Sequence, residues 1–140
     1  MTAASWLSEF ALCLAAVLAL PLSSGHTEDR PVASTATQDG KTHVDILSLK
    51  RTEGGTVTLR FVLANDGEGD FSMVLGNMHL VDLAARRSYR AGLMSSSCSA
   101  SPGKQVSCWA TFAAPPEATK TLTVQFYESL DLISGVPVTE

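Results

Sequence analysis

From Lys41 onward, apolar and polar side chains alternate with a period of two along short runs. The clearest run is "VTLRFVLAN", in which Val57, Leu59, Phe61 and Leu63 form one row and Thr58 and Arg60 another. A β-strand sends successive side chains to opposite faces, so the first row predicts a core and the second a wet surface. The same alternation recurs in "QVSCWATFA", with Val106, Cys108, Ala110 and Phe112 on one side, and in "TLTVQFY", with Leu122, Val124 and Phe126. Shorter candidates are "THVDILSL", "FSMV", "MHLVDL", "RSYRA" and "GVPV". Between them lie "EGG", "DGEGD", "SPGK" and "APPEA", whose Gly, Pro, Asp and Ser residues end strands. No stretch after Lys41 sustains a helical stripe. Seven to eight short strands separated by turns predict an all-β fold, an antiparallel immunoglobulin-like β-sandwich.

The N-terminal part follows a different pattern. "FALCLAAVLALPLSSG", Phe10 to Gly25, is a continuous apolar run that ends in a Pro break and small residues. It matches the apolar core and cleavage region of a signal peptide. A bilayer span needs about 20 apolar residues, so no stable membrane span is expected after processing. Residues 1–25 are therefore assigned as a signal peptide cleaved before His26, although the preceding segment carries Glu9 and no Lys or Arg. Cys13 lies inside the apolar run and is lost with it. Residues 26–41 are polar, rich in Thr, Ser, Ala and Asp, and without apolar period, which predicts a flexible leader. The sandwich domain is then 42–140.

Charge narrows the partners. The 140-residue chain has a net charge of −4. Loss of Glu9 with the signal leaves about −3, and such mild acidity argues against nucleic acid as a partner. Arg86, Arg87 and Arg90 in "ARRSYR" form the one basic cluster. They read either as charge that blunts an edge strand or as a small anion-binding or partner-binding patch.

Candidate chemistry centres on "CSASPGKQVSCWATF". Cys98 and Cys108 are far apart for a zinc knuckle and have no histidine nearby in sequence. In an exported chain the expected state is a disulfide that staples a loop, with a free reactive pair and a metal site as the alternatives. Trp109 points to the face opposite Cys108, where it either covers a sheet or, if exposed, anchors a partner. Tyr89 and Tyr127 are further binding candidates of that kind. No catalytic residues are assigned. His79 is the histidine expected to be well ordered, and in "HLVD" it and Asp82 fall on opposite faces of a strand. "SPGK" matches S-x-x-K as a string, yet that chemistry needs a helix start and the string lies on a Pro-Gly turn. "NDGEGD", Asn65 to Asp70, gathers acidic oxygens but departs from the EF-hand order and reads as a turn. No cofactor and no metal are expected.

The succession "VDILSLKRTEGGTVTLRFVLANDGEGDFSM", "HLVDLAARRSY", "SPGKQVSCWATFAAPPEATKTLTVQF" and "GVPV" resembles a family of exported bacterial immunoglobulin-like domains of unknown function, the DUF4352 and MPT63-like secreted-antigen group. Asn65 and Gly67, Leu80 to Asp82, Tyr89, Pro102 and Gly103, and Trp109 to Pro115 carry the resemblance, which spans about residues 42–138. It implies a sandwich fold and an extracytoplasmic address, with no catalytic residues to carry over. In some relatives of that group a comparable domain precedes an OmpA-like peptidoglycan-binding module. That pattern does not occur in this sequence, so wall binding by that route is not implied. The functional expectation is an exported, non-enzymatic binding module for an extracytoplasmic protein or envelope component. The alternative is a small-ligand or carbohydrate-binding sandwich in the cell envelope. The first predicts an exposed apolar or aromatic patch. The second predicts a concave site where one aromatic face meets polar groups.

Overall fold

A computed structural model describes residues 30–126 and 130–140. The proposed signal segment, Cys13 and Tyr127 lie outside the described residues. The strands are β1 (Ala33–Ala36), β2 (Thr42–Thr52), β3 (Thr56–Asn65), β4 (Phe71–Met73), β5 (His79–Asp82), β6 (Arg87–Arg90), β7 (Cys98–Ala100), β8 (Lys104–Ala113), β9 (Thr121–Gln125) and β10 (Ile133–Pro137). A 3-10 turn at Leu75–Asn77 is the single helical element among the described residues.

The strands form a four-stranded sheet in the order β1-β2-β3-β8, a second in the order β10-β9-β5-β6, and a β4-β7 ribbon. Every pairing between these strands is antiparallel. The all-β sandwich is thus the fold, built from alternation of the expected kind. Val57, Leu59, Phe61 and Leu63 of β3 are fully buried, as are Val44, Ile46 and Leu49 of β2. They meet Leu80, Leu122, Val124 and Val136 of the second sheet in one core. Phe61 and Phe126 pack edge to face with centroids 6.3 Å apart, a geometry that the ring quadrupoles favour.

Two strands carry no alternation signal strong enough to find them. β7 has three residues and is defined by its pairing with β4, Cys98 opposite Met73. β1 lies inside the segment predicted as a flexible leader, 26–41. Ala33–Ala36 instead pair with residues 43–46 of β2. "ASTA" has little to bury, so pairing to an existing strand, not an apolar face, orders it. The Ser34 hydroxyl donates to Asp45 Oδ1 at 2.6 Å, and the Thr35 hydroxyl to the Asp131 carbonyl at 2.9 Å. The β1–β2 turn is held by Asp39, which accepts from the Thr37 hydroxyl and the Lys41 amide. Those two bonds hold the Asp39 carboxyl below the usual carboxylate range.

Three side chains fasten the loops. Asn65, 1% exposed, donates from Nδ2 to the carbonyls of Gly69 and Ala100, at 2.7 and 2.8 Å. Its Oδ1 accepts from the Gly67 amide at 2.9 Å, so one side chain organises the "NDGEGD" turn and ties it to β7. Arg51 donates to the carbonyls of Pro115, Pro116 and Thr119, clamping the "APPEA" loop onto β2. Asp82 accepts from the Ala85 amide and the Thr119 hydroxyl.

Candidate functional site

Cys98 and Cys108 form a disulfide with Cα atoms 5.8 Å apart, both sulfur-bearing residues being buried. The bond joins β7 to β8 across the turn Ser101–Lys104, where Gly103 takes φ +73° and the Lys104 amide donates to the Ser101 carbonyl. It fixes β8 at the residue before Trp109.

Trp109 is 38% exposed on the outer side of the first sheet. Its backbone is held on both sides. Along β3 it stands opposite Arg60 in register. On its other edge the Ser95 amide donates to the Trp109 carbonyl at 3.0 Å, and the Trp109 amide donates to Ser95 Oγ at 3.2 Å. Gly92 and Leu93 continue that covering segment along Thr111.

Around Trp109 the register collects a set of side chains that no single stretch of sequence groups. Arg60 faces Ser48 on β2, and Lys50 faces Thr58 on β3. An irregularity between Ile46 and Ser48 breaks the alternation, so both Leu47 and Ser48 lie on the outer side while Ile46 and Leu49 remain inside. Arg30 and Val32, beside β1, complete the wall. Together they line a groove of about 590 Å³. It runs into a second depression of about 310 Å³ lined by Thr52 and Thr58, and a third of about 340 Å³ at Asp45 and Gln105. The groove shares residues with each of the two depressions, and together they form one furrow across the outer face.

Its charge is unequal. The side chains of Arg30, Lys50 and Arg60 make no hydrogen bond or ion pair among the described residues. The carboxylate at the opposite end, Asp45, is held by Ser34 and lies 3.9 Å from His43. The arrangement offers a π-face, three unneutralised cations and a row of hydroxyls from Ser48, Thr52, Thr58 and Ser107. Such a surface is suited to holding a polar ligand by side-chain contacts.

The other sequence candidates lie elsewhere. Tyr89 stands opposite Leu80 on β6 and turns inward against the core, half-buried. Its hydroxyl is buried without a hydrogen-bond partner among the described residues, so Tyr89 is not an exposed anchor. Arg86, Arg87 and Arg90 are exposed at the β5–β6 turn and on the edge strand of the second sheet, not on the sheet that carries Trp109. Arg86 takes φ +55°, an uncommon conformation for a side-chain-bearing residue, at that turn. His79 faces Arg90 and Gln125 in register, and its Nδ1 lies 3.0 Å from the Asn77 carbonyl. Both carboxylate oxygens of Asp82 are already engaged by Ala85 and Thr119. Among the described residues no cluster of three His, Cys, Asp or Glu could hold a metal ion. Nor is any helix there long and apolar enough to cross a membrane.

Arg30, Ser48, Lys50 and Arg60 were not singled out as site residues from sequence. Arg60 was legible as facing water, but its adjacency to Trp109 depends on the β3–β8 register.

Comparison with known proteins bears on the fold. No family model matches the chain, and no curated protein does. The crystal structure of the yjhA protein from Bacillus subtilis is similar, with a TM-score of 0.54 at 16% identity. The match covers 74% of this chain and 96% of that one. At that identity the likeness shows a shared fold.

Proposed function

We propose that this protein is an exported, non-enzymatic binding module that engages its ligand on the outer face of the β1-β2-β3-β8 sheet. The observation that carries the reading is the furrow at Trp109, where an aromatic face, cations and hydroxyls converge on a concave surface. Interfaces draw much of their energy from a few aromatic and Arg side chains, and Trp109 and Arg60 stand side by side here. The concave polar setting favours the ligand-binding form of the reading over a flat apolar docking patch. Export is supported by the signal-like segment and by the disulfide, a bond that persists chiefly in oxidising compartments. The resemblance to exported bacterial immunoglobulin-like domains points the same way.

The test is retention of the purified protein on isolated cell envelopes, with Trp109→Ser beside the wild type. Protein recovered from the producing cells should begin near His26. Loss of a binding hot spot should lower retention about tenfold or more. Retention equal to wild type would place the binding face elsewhere and refute the assignment.

A further inference from the structure

Resting on that reading, we infer that the furrow takes a carboxylate-bearing polysaccharide, a chain of uronic-acid sugars. The first argument is charge complementarity. The chain is net acidic, yet Arg30, Lys50 and Arg60 converge on the furrow without a carboxylate to neutralise them among the described residues. An Arg fork matches a carboxylate in geometry as well as charge.

The second argument is the manner of contact. Sheet domains commonly take peptides by adding a strand to a free edge. The β8 edge at Trp109 is already occupied by residues 92–95, and Thr37, the residue after β1, is bridged to Leu130. A ligand at Trp109 is therefore held from the face, by side chains. A sugar ring presents an apolar C–H face to stack on an aromatic, whose π-surface attracts those hydrogens, and hydroxyls at its rim for Ser48, Thr58 and Ser107. Tracks for single-stranded nucleic acid instead use successive aromatics, and Trp109 is the single aromatic with an exposed outer position in this furrow.

The charge gradient also orients the ligand. The carboxylate sits at the Lys50–Arg60 end, since Asp45 at the other end repels it.

Calorimetric titration of the purified chain with alginate, polygalacturonate and hyaluronate oligosaccharides tests this, with neutral dextran, polyglutamate and a single-stranded oligonucleotide as competing probes. The inference expects at least one uronate to bind, and affinity to fall about tenfold in Arg60→Ser and in Trp109→Ser. Asp45→Asn should tighten binding a few-fold, and Arg87→Ser on the second sheet should leave it unchanged. Raising salt from about 50 to 200 mM should weaken it, because exposed charge pairs are screened. Thermal unfolding of each variant separates a binding loss from a folding loss.

Dextran binding as tightly as the uronates would overturn the acidic class. Polyglutamate or the oligonucleotide binding as tightly would overturn the glycan class. If no uronate binds while envelope retention still depends on Trp109, this inference fails and the proposed function stands. If uronates bind but Arg60→Ser and Trp109→Ser have no effect, the furrow is not their site and both fall.

Discussion

The two four-stranded sheets share a core and little else. In the first, β2 and β3 run ten or eleven residues each, and β3 pairs with β8 without interruption from Thr56–Ala113 to Asn65–Lys104. In the second, β5 and β6 have four residues each, and the β9–β10 register shifts between Ile133 and Val136. Long ladders hold outward side chains from three strands at fixed spacing, and a face such as the Trp109 furrow needs that regularity. Short strands ending in turns present their charges at tips and edges, as Arg86, Arg87 and Arg90 do. The same residue type therefore means different things on the two sheets. Arg60 belongs to a concave surface, whereas Arg87 lies exposed on an edge strand, where charge discourages unwanted pairing.

That contrast can be broken most severely at the centre of the long sheet. Phe61 is fully buried and joins the sheets through Phe126, so Phe61→Ala should cost about 3–5 kcal/mol by leaving a cavity. Urea unfolding followed by tryptophan fluorescence measures it. A cost below about 1 kcal/mol would mean that the two sheets do not depend on this contact.

Next in size is the staple. Replacing Cys98 and Cys108 together by Ser removes closure of a loop with sequence separation 10. The expected loss is about 3 kcal/mol, with β structure retained in circular dichroism. Complete unfolding at room temperature would show that the remaining core is weaker than its burial suggests.

The smallest effects sharpen the comparison directly. Arg51 on β2 has a side chain 14% exposed and satisfies three loop carbonyls. Arg51→Ala should destabilise by about 2 kcal/mol, since those bonds are charge-assisted. Its contact with Glu140 adds little, because that carboxylate is almost wholly solvated. Arg87→Ala on the exposed edge should change stability by less than about 0.5 kcal/mol. Equal effects, read by thermal denaturation, would erase the distinction between a clamping and a solvated arginine.

How far the sequence could be read differs between elements for physical reasons. β3, β8 and β9 were legible because alternation is a local property, carried by adjacent residues and imposed by one buried face. The cysteine pair was legible because its two members lie close in sequence around a turn. β1 was not legible, since "ASTA" has no apolar row and owes its order to β2. Trp109 and Tyr89 look alike as isolated aromatics on alternating strands, yet Trp109 faces outward and Tyr89 packs inward.

By itself, then, the sequence determined the all-β class and the core rows, both of which follow from the chemistry of neighbouring residues. Tertiary structure alone decided which polar faces meet. The β3–β8 register set Arg60 beside Trp109, the irregularity at Leu47 turned Ser48 toward them, and pairing of the leader brought Arg30 and Val32 to the rim. Those adjacencies join residues far apart in the chain, and only backbone hydrogen bonding between strands specifies them.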